Sequence, residues 1–191
     1  MFDIIKNKGL TSAVREKGFD VLVLDEDIAV VSANRDSELR KKIADERKSG
    51  KIIAVLGSDD EINRLALRFG IDFLLSPELA RRKDFFDYRN SGMNQVLCKE
   101  AAENNIAVAF NFSDILNLDN ETKALRLGRM MQNVRLCRKF HVPMILATFA
   151  SSESELRTPE ELVSFGISIG MTRADAEKAL NHMGKIISKQ K

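Results

Sequence analysis

Ile52-Ile53-Ala54-Val55-Leu56, then Gly57-Ser58-Asp59-Asp60-Glu61, then Ile62-Asn63-Arg64-Leu65-Ala66-Leu67-Arg68-Phe69 is the stretch that decides the fold class. Its first five residues are apolar without alternation, which suits a strand covered on both faces of a parallel sheet. Ser58-Asp59 makes a polar turn, and from 59 to 69 the apolar residues return at helical spacing. Buried strand, short turn and amphipathic helix together make one βα unit.

The same pattern runs from end to end. Candidate strands fall at 2–5, 21–24, 29–31, 52–56, 73–75, 107–110 and 144–147, with helices near 37–49, 59–69, 92–104, 121–139, 159–169 and 173–188. Thr158-Pro159-Glu160-Glu161 reads as a cap, a first-turn proline and a capping-box acid. Thr172-Arg173-Ala174-Asp175 repeats the device just after Gly170, which suits the left-handed end of a helix. Seven strands with intervening helices allow an open doubly wound sheet or a (β/α) barrel, and the periodicity does not choose between them. No repeat, low-complexity tract or Pro/Gly-rich linker interrupts the series, so residues 1–191 read as one domain.

Bulk properties narrow the class further. At 191 residues, 44% apolar and 30% charged, the chain can bury a core of ordinary size and is neither disordered nor fibrous. Its formal net charge is only +2, so a nucleic-acid footprint, if the chain has one, must be local. Cys98 and Cys137 are far apart in sequence and belong to no ligand pair, which suits two reduced, mostly buried thiols. The apolar runs are much shorter than the ~20 residues that span a bilayer. A soluble, cytoplasmic protein is the expectation, with no membrane partner.

The chemistry-bearing residues gather after strands. Asn34-Arg35, Ser58-Asp59, Ser113-Asp114 and residues 148–157 each follow a candidate strand, and Arg89, Ser91 and Asn94 follow 73–75 through a loop of about fifteen residues, long enough to suggest function. In a parallel α/β protein such loops meet at the carboxyl edge of the strands. Ser58, Ser91 and Ser113 read most simply as helix caps, and Gly92 as a close backbone turn. Arg89 suits either a phosphate contact or an internal ion pair with Asp87 or Asp114.

Residues 121–139 form a second focus. Lys123, Arg126, Arg129, Arg135, Arg138 and Lys139 stand there against the single acid Glu121. At about 100° per residue, Leu127, Met130, Met131, Val134 and Cys137 make one apolar face. Arg126, Arg129 and Asn133 line one flank, while Arg135 and Lys139 lie across the exposed side. Leu125 and Leu136 project away from the apolar stripe, as scattered surface residues or as contacts for a partner protein. Arg81-Arg82-Lys83 and Lys178, Lys185, Lys189 and Lys191 are candidates to extend the basic patch. With one tyrosine, no tryptophan and most phenylalanines in apolar runs, no aromatic stacking platform is evident, so contact with a phosphate backbone fits better than base readout.

Three segments carry a family resemblance: Arg89-Asn90-Ser91-Gly92-Met93-Asn94-Gln95-Val96-Leu97-Cys98-Lys99, Phe110-Asn111-Phe112-Ser113-Asp114-Ile115-Leu116, and Met131-Gln132-Asn133-Val134-Arg135-Leu136-Cys137-Arg138-Lys139. In that order, and followed by Leu156-Arg157-Thr158-Pro159 and Gly170-Met171, they resemble the ribonuclease P protein component 3 family, the archaeal counterpart of the thirty-kilodalton eukaryotic subunit. The resemblance is strong over residues 70–175 and loose in the first third. It implies a compact TIM-like barrel, and a noncatalytic subunit of an RNA-based endoribonuclease that removes the 5′ leader from precursor tRNA. It also implies partnership with ribonuclease P protein component 2 and the catalytic domain of the ribonuclease P RNA, alongside the other ribonuclease P proteins. Magnesium would belong to the RNA, and the protein would lower the amount required. The length resembles the archaeal form.

On this reading the RNA-contact candidates are Arg89, Asn94, Lys123, Arg126, Arg129, Asn133, Arg135, Arg138 and Lys139. Leu125 and Leu136 are the partner-contact candidates; no catalytic residue, bound cofactor or metal ligand is assigned. The alternative is a metal-dependent phosphoesterase of the polymerase-and-histidinol-phosphatase type. It needs clustered histidines and carboxylates, whereas His141 precedes a strand, His182 lies in the last helix, and Asp3, Asp25, Asp59 and Asp114 are scattered. Asp25-Glu26-Asp27 and Asp59-Asp60-Glu61 are acidic turns that suit either a basic partner or simple solvation.

Overall fold

The computed structural model describes residues 1–80, 83–86 and 88–190. Arg81, Arg82 and Lys191, offered above as extensions of the basic patch, and Asp87, offered as a partner for Arg89, lie outside the described residues. The elements run β1 (Phe2–Ile5), α1 (Thr11–Glu16), β2 (Asp20–Val23), β3 (Ile28–Val31), α2 (Asp36–Arg47), β4 (Ile52–Leu56), α3 (Asp60–Arg68) and β5 (Phe73–Leu75). Then follow α4 (Gln95–Glu103), β6 (Ala107–Asn111), α5 (Asn120–Phe140), β7 (Met144–Ala147), α6 (Pro159–Ser168) and α7 (Arg173–Gln190).

All strand pairs are parallel. β1 pairs with β2, and β3 to β7 form a five-stranded sheet in sequence order. Two single bridges, Leu24 to Ile28 and Ile5 to Ala150, join the two sheets at both edges. The result is a small closed barrel, as the resemblance implied. Asp3 fixes the β7–β1 seam: its carboxylate accepts hydrogen bonds from Thr148 N at 2.7 Å, Thr148 Oγ1 at 2.6 Å and Ile4 N at 2.9 Å. Burial raises the Asp3 pKa to about 6, with the Thr148 bonds opposing.

Alternate residues of each strand face opposite ways, and both sets are buried. Ile52 and Ala54, Phe73 and Leu75, Ala107 and Ala109, and Ile145 and Ala147 belong to one apolar cluster. Ile53, Val55, Leu74, Val108, Phe110 and Leu146 belong to the other, against the helices. That double burial is why the strand runs lack polar alternation. Alanines at 54, 107, 109 and 147 leave room for Phe73 and Phe149 in the narrow interior. Met183 and Ile186 of α7 join the same cluster, so α7 closes the end at which the strands begin.

Helix ends follow their chemistry. Thr158 and Glu161 form a reciprocal capping box at α6, Thr172 and Asp175 exchange bonds at α7, and Gly170 takes φ +98° between them. The helix expected from 92 starts at Gln95 instead, because Asn94 caps it by accepting from Val96 N and Leu97 N. Neither Ser58 nor Ser113 caps a helix: Asp59 and Phe112 occupy those positions, without side-chain cap bonds.

Candidate nucleic-acid interface

Described residues at both ends of the long segment between β5 and α4 press closely on their neighbours. Gly57 and Gly92 both press against Pro77: a Cβ at Gly57 would stand 2.4 Å from Pro77 Cα, and one at Gly92 2.0 Å from Pro77 O. Gly92 also has φ +76°, so no other residue fits there without moving backbone. Asn63 ties the loops together, donating to Gly92 O at 2.8 Å and Ser58 O at 2.9 Å while accepting from Ser58 N. Ser91 is buried and no cap; its Oγ accepts from Gln132 Nε2 at 2.9 Å and its carbonyl from Asn133 Nδ2 at 2.9 Å. Residues 89–94 therefore strap α5 to the loop.

The inward flank of α5 corrects two of the RNA-contact candidates. Arg129 is only 5% exposed. Its Nε and Nη2 reach Asp84 Oδ1 at 2.9 and 2.8 Å, and its Nη1 donates to Ala80 O at 2.7 Å and Glu78 O at 3.2 Å. Asn133, about one turn further along the same flank, is fully buried against Ser91. Both hold the fold and neither faces solvent. Asn94 is spent as the α4 cap, and Lys123 leans onto Leu116 O at 3.4 Å. Arg126 is half-buried, with its charge acting on Glu78.

Glu78 is fully buried, and neither carboxylate oxygen has a hydrogen-bond partner. Burial pushes its pKa up to about 8; Asp114 adds to the rise, while Arg126 and the neighbouring Asn133 amide oppose it. A neutral Glu78 has one proton to give, and Asn133 Oδ1 is an acceptor without a donor.

The outward stripe of α5 is different. Gly128, Gln132, Arg135 and Lys139 follow one another along it at helical spacing. Arg89 covers Gly128 so closely that a Cβ there would meet its guanidinium at 2.6 Å, and Gln132 holds the Arg89 backbone through both N and O. The Arg89 side chain is 48% exposed; its partner among the described residues is Asp84 at 3.8 Å, and not the expected Asp114. Asp114 instead accepts from Ser76 Oγ. Arg135 is exposed and has no side-chain partner among the described residues. Arg138 pairs with Asp175 at 3.0 Å, and exposed Lys139 lies over the Phe140 ring.

From Lys139 the positive surface turns the corner onto a groove between the end of α5, the start of β7 and α7. Arg138, Lys139, Lys178, Lys185 and Lys189 line it, so cations far apart in sequence converge as expected. His141 and His182 line the same groove, at the amino ends of the strands. The His182 pKa is lowered by burial, then by Lys185 and Lys189. Among the described residues no group of three or more His, Cys, Asp or Glu side chains could hold a metal ion, and no helix is long and apolar enough to cross a membrane.

The apolar face expected on α5 shifts in the folded chain. Met130, Val134 and Cys137 are buried, but Met131 is exposed, its place in the core being taken by Arg129 and Asn133. Leu125 is exposed on the outer stripe; Leu136 instead packs partly against the helix–sheet core, which removes most of the surface a partner contact needs. Sequence reading missed three exposed rings, Phe85, Phe86 and Tyr88, beside Arg89. Phe85 and Tyr88 stack with centroids 4.5 Å apart and planes 20° apart. The signal was present: aromatics interleaved with charges, outside any strand.

Comparison with known proteins finds similarity over most of the chain. The RNase P subunit p30 family matches residues 27–191. The "Ribonuclease P protein component 3" of Thermococcus kodakarensis is 32% identical over 160 residues, covering 84% of this chain and 69% of that protein. That of Methanococcoides burtonii is 31% identical over 177 residues, covering 92% and 68%. Among solved structures, a chain of archaeal ribonuclease P with mature tRNA superposes with TM-score 0.77 at 23% identity, over 99% of this chain and 80% of that one, a likeness of fold.

Proposed function

The chain belongs to the RNase P subunit p30 family, and from that premise we propose that it is a protein subunit of ribonuclease P that leaves the chemistry to the RNA. Its task is to bind the catalytic domain of that RNA, together with ribonuclease P protein component 2 and beside the other protein subunits, while the holoenzyme removes the 5′ leader from precursor tRNA. Magnesium serves the RNA, and no resident cofactor is assigned to the protein. A cytoplasmic location goes with this role.

The observation that carries the reading is the line Arg89, Arg135, Lys139 on the outer face of α5. From Gly128, beneath Arg89, to Lys139 the helix rises about 16 Å, and the basic groove continues beyond it. Cations at that spacing neutralise successive phosphates of a backbone and release counterions. They allow two RNA segments to approach at a lower magnesium concentration. The direct test is reconstituted cleavage of precursor tRNA: the complete set of components should cut at low magnesium, omission of this chain should raise the magnesium requirement, and the chain alone should cut nothing.

A further inference from the structure

Phe85, Phe86 and Tyr88 have no structural reason to be where they are. Phe86 is fully exposed, and Phe85 and Tyr88 are each more than half exposed. Three large rings on one loop leave apolar surface uncovered in the free protein, which marks a contact site. Several described residues beside the rings are nevertheless tied down. Phe85 N donates to Tyr88 O at 2.8 Å, Asn90 N to Asp84 Oδ1 at 2.9 Å, and Asn90 Nδ2 to Lys83 O. Asp84 is bolted to α5 by Arg129. Rings presented from a fixed base lose little freedom when they bind a ligand.

Charge selects the ligand. By sequence, residues 81–89 carry Arg81, Arg82, Lys83 and Arg89 against Asp84 and Asp87, and Asp84 is already neutralised by Arg129 and Arg89. An apolar pocket of a protein gains nothing from a sequence rich in cations beside the rings, whereas a nucleotide offers a flat π face and a phosphate together. The near-parallel Phe85–Tyr88 pair already has the arrangement of a base stack. We propose that this loop is a stacking platform for an unpaired base of an RNA strand whose phosphates run along Arg89 and the outer stripe of α5. The proposal rests on the RNA-binding reading above and adds to it a contact with a base.

Tyr88 is the only tyrosine, and the chain has no tryptophan, so intrinsic tyrosine emission reports on the platform alone. The full chain is titrated with a short oligoadenylate and with an abasic oligomer of equal length. Quenching by the first and not by the second is the expected result. Phe86→Ala, a change at a fully exposed position, should weaken oligoadenylate binding by roughly tenfold and leave affinity for the abasic oligomer unchanged. Binding of both without quenching, or equal quenching by both, overturns the platform and leaves the RNA reading standing. Failure of both oligomers to bind overturns the two together. If Phe86→Ala instead weakens only the association with component 2, the loop is a protein contact and the proposal is wrong.

Discussion

Arg129 of α5 grips Asp84 of the β5–α4 loop through two nitrogens, at 2.8 and 2.9 Å from one oxygen, 45 residues away in sequence. The same guanidinium satisfies two backbone carbonyls at 78 and 80. Arg129→Ala would leave a mostly buried carboxylate and two acceptors without their donor. It should cost on the order of 3 kcal/mol of stability, read as a lower urea midpoint with unchanged slope. RNA affinity of the fraction still folded should change little. A stable variant with weakened RNA binding would return Arg129 to the interface.

Arg135 gives the opposite expectation. It is exposed and without a side-chain partner among the described residues, so Arg135→Ala should alter stability by less than about 0.5 kcal/mol. If it meets a phosphate, the slope of log affinity against log salt should fall by about 1, and Arg135→Ala with Lys139→Ala by about 2. Salt-dependent filter binding measures both. Unchanged slopes would move the RNA path off α5.

Gly128 sits under Arg89 in mid-helix. Gly128→Ala improves helix propensity by about 1 kcal/mol, yet its new methyl meets the Arg89 guanidinium at 2.6 Å. The flexible end of Arg89 can swing away, so the variant should be as stable as the parent or more so. Its RNA affinity should drop, because Arg89 leaves the line. Thermal melts and binding curves on one preparation separate the two effects.

Glu78 makes stability depend on pH. Its folded pKa, raised by burial to about 8, lies above the ordinary 4.5 of the unfolded chain. Between those values the unfolded state releases a proton that the native state keeps, so this group lowers stability as pH rises and its effect levels off above about pH 8. Glu78→Gln should abolish that decline, and its amide can donate to Asn133 Oδ1. Urea midpoints compared at about pH 5 and pH 9 should fall for the parent and fall less for the variant; parallel declines would mean that Glu78 is ionised in the fold.

The seven strands were legible within one residue at each end because both of their faces are buried, and the apolar runs say so directly. The caps at Thr158 and Thr172 were legible because their partners are three residues away. Arg129 and Asn133 were misread for the opposite reason: helical spacing puts them on one flank, but Asp84 and Ser91 decide which way that flank faces, and they lie more than forty residues upstream. Ser58, Ser91 and Ser113 looked like caps, yet Asn94 was the cap that formed. The barrel itself came from the family motifs, since the bridges at Leu24–Ile28 and Ile5–Ala150 that close it leave no trace in periodicity. The short α1, with Val14 as its one buried residue, carries too little pattern to read.

The most direct measurement is the magnesium dependence of precursor-tRNA cleavage by RNA plus component 2, with and without this chain. The account predicts that adding the chain shifts the curve to lower magnesium, that Arg135→Ala with Lys139→Ala partly reverses the shift, and that protein without RNA releases no leader. Leader release by the purified chain alone, dependent on added metal, would contradict it.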